Sequence, residues 1–234
     1  MDAQQGIVQT EEARQGVLTA RPSLGTKPAP ERQGIVALNL GAARDAALYV
    51  PKSYDPAKPA PLLLLLHGAG GRATDLLNLF VETSEARGYL VLSPESRGRT
   101  WDIILGGYGP DVAFIDKALR AVFARYAVDP ARIAVAGFSD GASYALSIGL
   151  ANGGFVRDIL AFSPGFAAPA RTADLPRIFM SHGISDGVLP IDACSRRLAP
   201  ALRHSGYDVD YREFDGGHVV PAEMVTAAVA RFLN

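Results

Sequence analysis

Ser139 stands between two glycines in Gly137-Phe138-Ser139-Asp140-Gly141. An apolar run that closes on Phe138 leads in, and an Ala/Ser/Leu run from Ala142 to Ala151 leads out, so the order is strand, sharp turn, helix. A turn this tight forces its central residue into a strained backbone conformation, and flanking glycines remove the Cβ atoms that would strike the adjoining strand and helix. The hydroxyl is then held up above the end of a sheet, where a nucleophile would be. A serine hydroxyl attacks only when a neutral imidazole takes its proton and a carboxylate orients that imidazole. A small-residue turn with no chemistry has the same spacing, so the motif has to be judged by whether partners are available. The chain has four histidines, at 67, 182, 204 and 218. Asp186, in Ser181-His182-Gly183-Ile184-Ser185-Asp186-Gly187-Val188-Leu189-Pro190, and Asp215, in Asp215-Gly216-Gly217-His218, are the candidate acids.

These residues can meet only if the elements before them end at one edge of a sheet. Gly34 to Leu40 and Ala46 to Pro51 read as a hairpin. The run Pro61 to Leu66 is apolar at every position from Leu62 on, the pattern of a strand buried on both faces of a parallel sheet. Further strands are expected at Tyr89–Pro94, Ile133–Phe138, Asp158–Phe162, Arg177–Met180 and Val209–Phe214. Helices are expected over Thr74–Arg87 (stopped by Gly88), Asp111–Tyr126, Ile191–Ser205 and Pro221–Phe232. Alternating strands and helices make an α/β fold: a mostly parallel central sheet opened by an antiparallel hairpin, with helices on both faces. Ligands in such sheets gather beyond the carboxyl ends of the strands. Those ends carry His67-Gly68-Ala69-Gly70-Gly71, Glu95 to Asp102, Ser139, then Asp186, then His218.

Composition bounds the rest. The chain has 234 residues, 48% hydrophobic and 20% charged, with a net charge of −1. That suits an ordinary globular core and offers no long-range attraction for nucleic acid, so a small-molecule partner is expected. One cysteine, Cys194, rules out an intramolecular disulfide and any cysteine-built zinc cluster, and is expected to be a buried apolar residue. The longest apolar run, Leu62 to Leu66, is too short to span a membrane. The opening Met1-Asp2-Ala3-Gln4-Gln5 lacks a signal-peptide pattern, from which a cytoplasmic location is expected, or export followed by removal of the signal. Residues 1–33 read as an N-terminal arm, disordered over its first dozen positions or packed on the body, before a single domain over 34–234.

The chain resembles the α/β-hydrolases of the phospholipase/carboxylesterase and polyhydroxybutyrate-depolymerase-like group from about Leu48 onward. The resemblance rests on L-L-L-L-H-G-A-G-G at 63–71, G-F-S-D-G at 137–141, H-G-x-x-D-x-x-x-P at 182–190 and G-G-H at 216–218. It implies an α/β-hydrolase fold with Ser139 as nucleophile, Asp186 as acid and His218 as base, and with the N–H groups of Asp140 and Ala69 as oxyanion donors. It implies no cofactor and no metal. Asp140 and Ala142 depart from the Gln and Gly common in the group, which adds a carboxylate beside the site. Asp215 stays open as an alternative acid, because it lies closer to His218 in sequence. His67 and His182 are expected to brace their loops, and His204 to be surface.

Gly70 is placed at the substrate, and Trp101 and Tyr108 are candidates for walling the acyl pocket, with core packing as the rival for both aromatics. Arg97 and Arg99 could meet an acidic substrate group or form surface ion pairs. Only Ser163 to Pro176 separates the two strands where many lipases insert a cap, so no cap domain is expected and the site should be open. The function implied is a serine carboxylic-ester hydrolase for short to medium acyl esters, acting as a monomer or homodimer. The alternatives are a polyester-depolymerase-like or hydroxycinnamoyl (feruloyl-type) esterase and, in a different class, a non-catalytic ligand-binding α/β-hydrolase.

Overall fold

The computed structural model describes residues 10–23, 25, 27 and 32–234. A short helix α1 (Glu11–Arg14), capped by the Thr10 hydroxyl on Ala13 N–H, precedes the antiparallel pair β1 (Gly34–Ala37) and β2 (Ala46–Val50). Then follow β3 (Ala60–Leu66), α2 (Ala73–Arg87), β4 (Leu90–Pro94), a 3₁₀ turn at Asp102–Leu105, α3 (Pro110–Arg125) and β5 (Val128–Phe138). The chain goes on through α4 (Asp140–Ala151), β6 (Asp158–Phe162), β7 (Arg177–Gly183), α5 (Ser195–His204), β8 (Val209–Phe214) and α6 (Ala222–Leu233). The sheet runs β1-β2-β4-β3-β5-β6-β7-β8. Strand β2 is antiparallel to both its neighbours, and every pairing from β4 to β8 is parallel.

The leucine run of β3 shows why the sheet needs helices on both sides. Leu62, Leu64 and Leu66 pack into one core with Val112, Ile115 and Leu119 of α3 and Ala142 and Leu146 of α4. Leu63 and Leu65 point the other way, into a second core with Leu77 and Phe80 of α2 and Val225 and Val229 of α6. Successive side chains of a strand face opposite sides, so an unbroken apolar run requires two apolar layers. Each buried leucine contributes about 1.5–3 kcal/mol relative to exposure. Helix α2 ends where Gly88 takes a left-handed φ of 70° and its N–H returns to Ser84 C=O.

The elements differ most from the sequence expectation at two edges. Helix α5 begins at Ser195 rather than Ile191, because Cys194 N–H bonds back to the Pro190 and Ile191 carbonyls in turns, and the Ser195 hydroxyl is taken up by His182. Strand β5 begins five residues early, at Val128, which pairs with Ala60 before a register shift restores the ladder at Ile133.

Part of the expected arm lies on the body. Leu18 and Ala20 are fully buried. Leu18 N–H donates to Asn152 Oδ1 (2.8 Å), the N–H groups of Thr19 and Ala20 both donate to Asp116 Oδ1 (2.8 Å each), and the Thr19 hydroxyl donates to Asp116 Oδ2. Of the dozen positions expected to be disordered, 1–9 lie outside the described residues, as do Pro28 and Pro30, while 10–12 open α1. Cys194 is buried and free, and its thiol pKa is pushed up by burial.

Candidate active site

Between β5 and α4 the chain turns at Ser139, which takes φ 58° and ψ −121°, a conformation that costs a non-glycine residue about 1–3 kcal/mol. It is held by Ser139 N–H donating to Phe162 C=O at 3.0 Å and by the Ser139 carbonyl accepting the N–H groups of Ala142 and Ser143. A Cβ on Gly137 would fall 2.1 Å from Gly141 O, and one on Gly141 would fall 2.2 Å from Leu66 O. Both glycines are therefore demanded by the close approach of strand, helix and β3. The turn lifts the hydroxyl beyond the carboxyl end of β5.

His218, in the turn after β8, brings Nε2 to 2.8 Å from Ser139 Oγ, while its Nδ1 lies 2.6 Å from Asp186 Oδ2. These partners define the resting tautomer: Nδ1–H donates to the carboxylate and bare Nε2 accepts the serine proton. The Phe138 ring packs against the imidazole with centroids 4.6 Å apart. Asp186 follows β7, and its Oδ1 accepts Val188 N–H (2.9 Å) and Leu189 N–H (2.8 Å). Burial pushes this carboxyl up, but the hydrogen bonds from His218, Leu189 and Val188 outweigh it and hold the pKa below the usual carboxylate value.

On the far side of Asp186, His182 Nε2 lies 3.2 Å from Oδ2 and 2.8 Å from Leu189 O, and its Nδ1 pairs with Ser195 Oγ at 2.7 Å. Burial lowers the His182 pKa, which keeps the ring neutral. The expected loop brace thus also touches Asp186, a contact that H-G-x-x-D spacing alone does not reveal. Asp215 is exposed and makes no hydrogen bond to His218, whose Nδ1 faces Asp186 instead.

The loop after β3 passes beside the serine: a Cβ on Gly68 would lie 3.5 Å from Ser139 Cβ. Gly70 takes a left-handed φ of 73° and its N–H donates to Arg99 C=O at 2.7 Å. Among the described residues, the N–H groups of Ala69 and of Asp140 at the start of α4 donate to no protein acceptor. His67, its pKa lowered by burial, braces this loop by accepting Ser96 N–H on Nε2 (3.0 Å). His204 is exposed, as expected.

Several expected substrate contacts are corrected. Trp101 is 0% exposed, donates Nε1–H to His67 O at 2.8 Å and stacks on Tyr144 with centroids 5.0 Å apart, so it offers no surface to an acyl chain. Tyr108 is half-buried, donates its hydroxyl to Ala168 O at 2.9 Å and packs its ring beside Gly16 of the N-terminal segment, so its hydroxyl and one side of its ring are taken up within the protein. Arg97 lies over the Phe114 ring, 3.4 Å from its centroid, and donates to the Glu95 and Arg44 carbonyls, which removes it from any substrate. Arg99 is exposed, and among the described residues forms no ion pair. Ala69 and Gly70 of the loop after β3, Val188 two residues after Asp186 and Val219 next to His218 are exposed.

A separate cleft of about 530 Å³ opens at the amino ends of β5 to β7, the edge opposite Ser139. Two of its arginines are already paired, Arg177 with Asp158 at 2.9 Å and Arg132 with Asp129 at 2.7 Å. Among the described residues, no three His, Cys, Asp or Glu side chains are grouped to hold a metal ion, and no helix is long and apolar enough to cross a membrane.

Comparison with known proteins bears on this geometry. Feruloyl esterase C of Emericella nidulans is 29% identical over 157 residues, 64% of this chain and 57% of that protein, so the match spans little more than half of its length. A probable feruloyl esterase C of Aspergillus oryzae is 29% identical over 208 residues, 75% of this chain and 76% of that protein. Among solved structures, esterase PE8 superimposes with a TM-score of 0.63 at 25% identity, covering 79% of this chain and 95% of its own. An S-formylglutathione hydrolase from Staphylococcus aureus reaches a TM-score of 0.70 at 14% identity, over 87% and 100% of the two chains, a likeness of fold. The family model described as Phospholipase/Carboxylesterase matches residues 112–234, which include Ser139, Asp186 and His218. This chain belongs to the phospholipase/carboxylesterase family and has the α/β-hydrolase fold.

Proposed function

We propose that this protein is a serine carboxylic-ester hydrolase that works through an acyl-enzyme. The observation that carries the reading is the continuous line Ser139 Oγ, His218 Nε2, His218 Nδ1, Asp186 Oδ2, with separations of 2.8 and 2.6 Å at its two junctions. As Ser139 Oγ attacks the ester carbonyl, its proton passes to Nε2, and Asp186 stabilises the imidazolium that forms. The tetrahedral oxyanion takes hydrogen bonds from Ala69 N–H and Asp140 N–H, a pair in which one donor is typically worth on the order of 10² to 10³ in rate. Collapse expels the alcohol, which takes the proton from Nε2. Water then repeats the sequence on the acyl-serine, with His218 as base, and returns Ser139 with a free carboxylic acid.

The substrates are small esters with short to medium acyl chains. Residues 163–176 connect β6 to β7 without a helix, so nothing is inserted there to cover the site. A second reading, a hydroxycinnamoyl acyl group, is favoured by the names of the fungal relatives and by Val188 and Val219, exposed apolar residues near Asp186 and His218. Labelling with a fluorophosphonate, with Ser139→Ala as control, tests the reaction class. The wild type is expected to label and to hydrolyse p-nitrophenyl butyrate, and the variant to do neither. A folded wild type that does neither is a ligand-binding protein instead of an esterase. Turnover of methyl ferulate relative to the butyrate ester distinguishes the two acyl readings.

A further inference from the structure

The two N–H groups assigned to the oxyanion come from different elements, Ala69 from the loop after β3 and Asp140 from the start of α4. Oxyanion stabilisation depends on their spacing to a fraction of an ångström, so something must tie one to the other. The segment from Glu95 to Trp101, between β4 and the 3₁₀ turn, makes that connection. It meets the loop after β3 at four points: Ser96 N–H to His67 Nε2 (3.0 Å), Gly70 N–H to Arg99 O (2.7 Å), Trp101 Nε1–H to His67 O (2.8 Å) and Arg72 Nη1–H to Glu95 Oε2 (2.9 Å). It reaches α4 through the Thr100 hydroxyl, which donates to Asp140 Oδ2 at 2.6 Å. Among the described residues, Thr100 is the only hydrogen-bond partner of that carboxylate.

The segment is itself well anchored. Asp111, 1% exposed, accepts Arg97 N–H on Oδ1 (2.5 Å) and Asp102 N–H on Oδ2 (2.7 Å), and Asp102 accepts the N–H groups of Gly109 and Asp111 (2.9 Å each). A second consideration is charge. Asp140 places a carboxylate on the residue whose N–H faces the developing oxyanion, and like charges so close oppose each other. A carboxylate fastened to Thr100 cannot swing toward that pocket.

We propose that Thr100 is a positioning residue for this reaction: its hydroxyl holds the Asp140 carboxylate away from the oxyanion and sets the spacing between the Asp140 and Ala69 N–H groups. The inference rests on the serine-hydrolase reading. Because the oxyanion forms only in the transition state, losing the hydroxyl affects kcat and leaves substrate binding alone.

The test is steady-state kinetics on p-nitrophenyl butyrate for Thr100→Val and Thr100→Ser, and for Thr100→Val in an Asp140→Ala background, with thermal unfolding of each. Thr100→Val is expected to lower kcat about tenfold with KM within about twofold, and Thr100→Ser to recover kcat to within about twofold of wild type. In the Asp140→Ala background, Thr100→Val is expected to change kcat by less than about twofold, because the partner is already gone. If Thr100→Val does not fold, Thr100→Ala takes its place in both backgrounds. An unchanged kcat, an effect on KM alone, or an equal loss in the Asp140→Ala background overturns the proposal while leaving the hydrolase reading intact. A wild type that neither labels with fluorophosphonate nor hydrolyses esters overturns both.

Discussion

Asp186→Asn tests the acid in a way the hydrogen-bond geometry makes specific. The two oxygens of Asp186 do different jobs: Oδ1 accepts the backbone N–H groups of Val188 and Leu189 at 2.9 and 2.8 Å, and Oδ2 faces His218 Nδ1 at 2.6 Å. An asparagine has one oxygen to offer. If it faces His218, its NH₂ group confronts two backbone donors that have no other acceptor, at a cost of about 1–3 kcal/mol each. If it faces the backbone, its NH₂ donates to His218 Nδ1, and the imidazole needs only to move its proton to Nε2. His182 Nε2–H, 3.2 Å from this position, loses a secondary acceptor there but keeps its shorter bond to Leu189 O at 2.8 Å. The second arrangement is therefore favoured by about 2–6 kcal/mol, which is on the order of 10 to 10⁴ in tautomer population. With the proton on Nε2, His218 cannot accept from Ser139, and the imidazolium has also lost its carboxylate. The expected outcome is a kcat on p-nitrophenyl butyrate lower by 10³ or more, near the ~10⁴ typical of this exchange, in a protein that still folds. Asp215→Asn, measured in parallel, should stay within about twofold of wild type. An Asp186→Asn variant within tenfold of wild type would remove Asp186 from the role of acid, and the reverse pattern would put Asp215 in its place.

Gly137→Ala should abolish the fold or lower Tm by about 10 °C or more, since its Cβ would meet Gly141 O at 2.1 Å; Gly107→Ala, with nothing within 4 Å, should leave Tm nearly unchanged. Equal thermal midpoints for the two variants would contradict the packing argument. The Asp111 carboxyl is pushed up to about 6, by burial first and by Asp102 second. A folded pKa above the unfolded value of ~3.9 makes the contribution of this group fully present below the unfolded pKa and lost as pH rises through about 6. The unfolding free energy of wild type relative to Asp111→Asn should accordingly fall by about 2 kcal/mol between pH 4 and pH 7, measured by denaturant titration, and a pH-independent difference would rule this out. On a series of p-nitrophenyl esters, activity should peak at short to medium acyl length; a steady rise beyond about twelve carbons would speak for a covered, lipid-adapted site.

Much of this molecule can be read along the chain. Leu62 to Leu66 demand a two-faced sheet wherever they sit, because a strand alternates its side chains, and Gly137 and Gly141 announce a turn in which a Cβ cannot fit. Ser139, Asp186 and His218 could be singled out because each follows a strand of one parallel sheet, and parallel strands deliver their carboxyl ends to a common edge. That is a property of local pattern and topology, both of which are written in sequence. What could not be read is what each side chain does once the edges are brought together. Trp101 was as suited to a pocket wall as to a core, and its bond to His67 O and stack on Tyr144 decided for the core. Arg97 became a brace over Phe114 rather than a surface cation, Tyr108 a donor to Ala168 O with its ring beside Gly16, and His182 a second neighbour of Asp186. Thr100 meets Asp140 across 40 positions, and Leu18 meets Asn152 across 134. Hydrogen bonds are directional and end within about 3 Å. Local pattern and strand order bring these residues to one edge of the sheet, but which of them touch depends on bonds that form only when distant segments pack together.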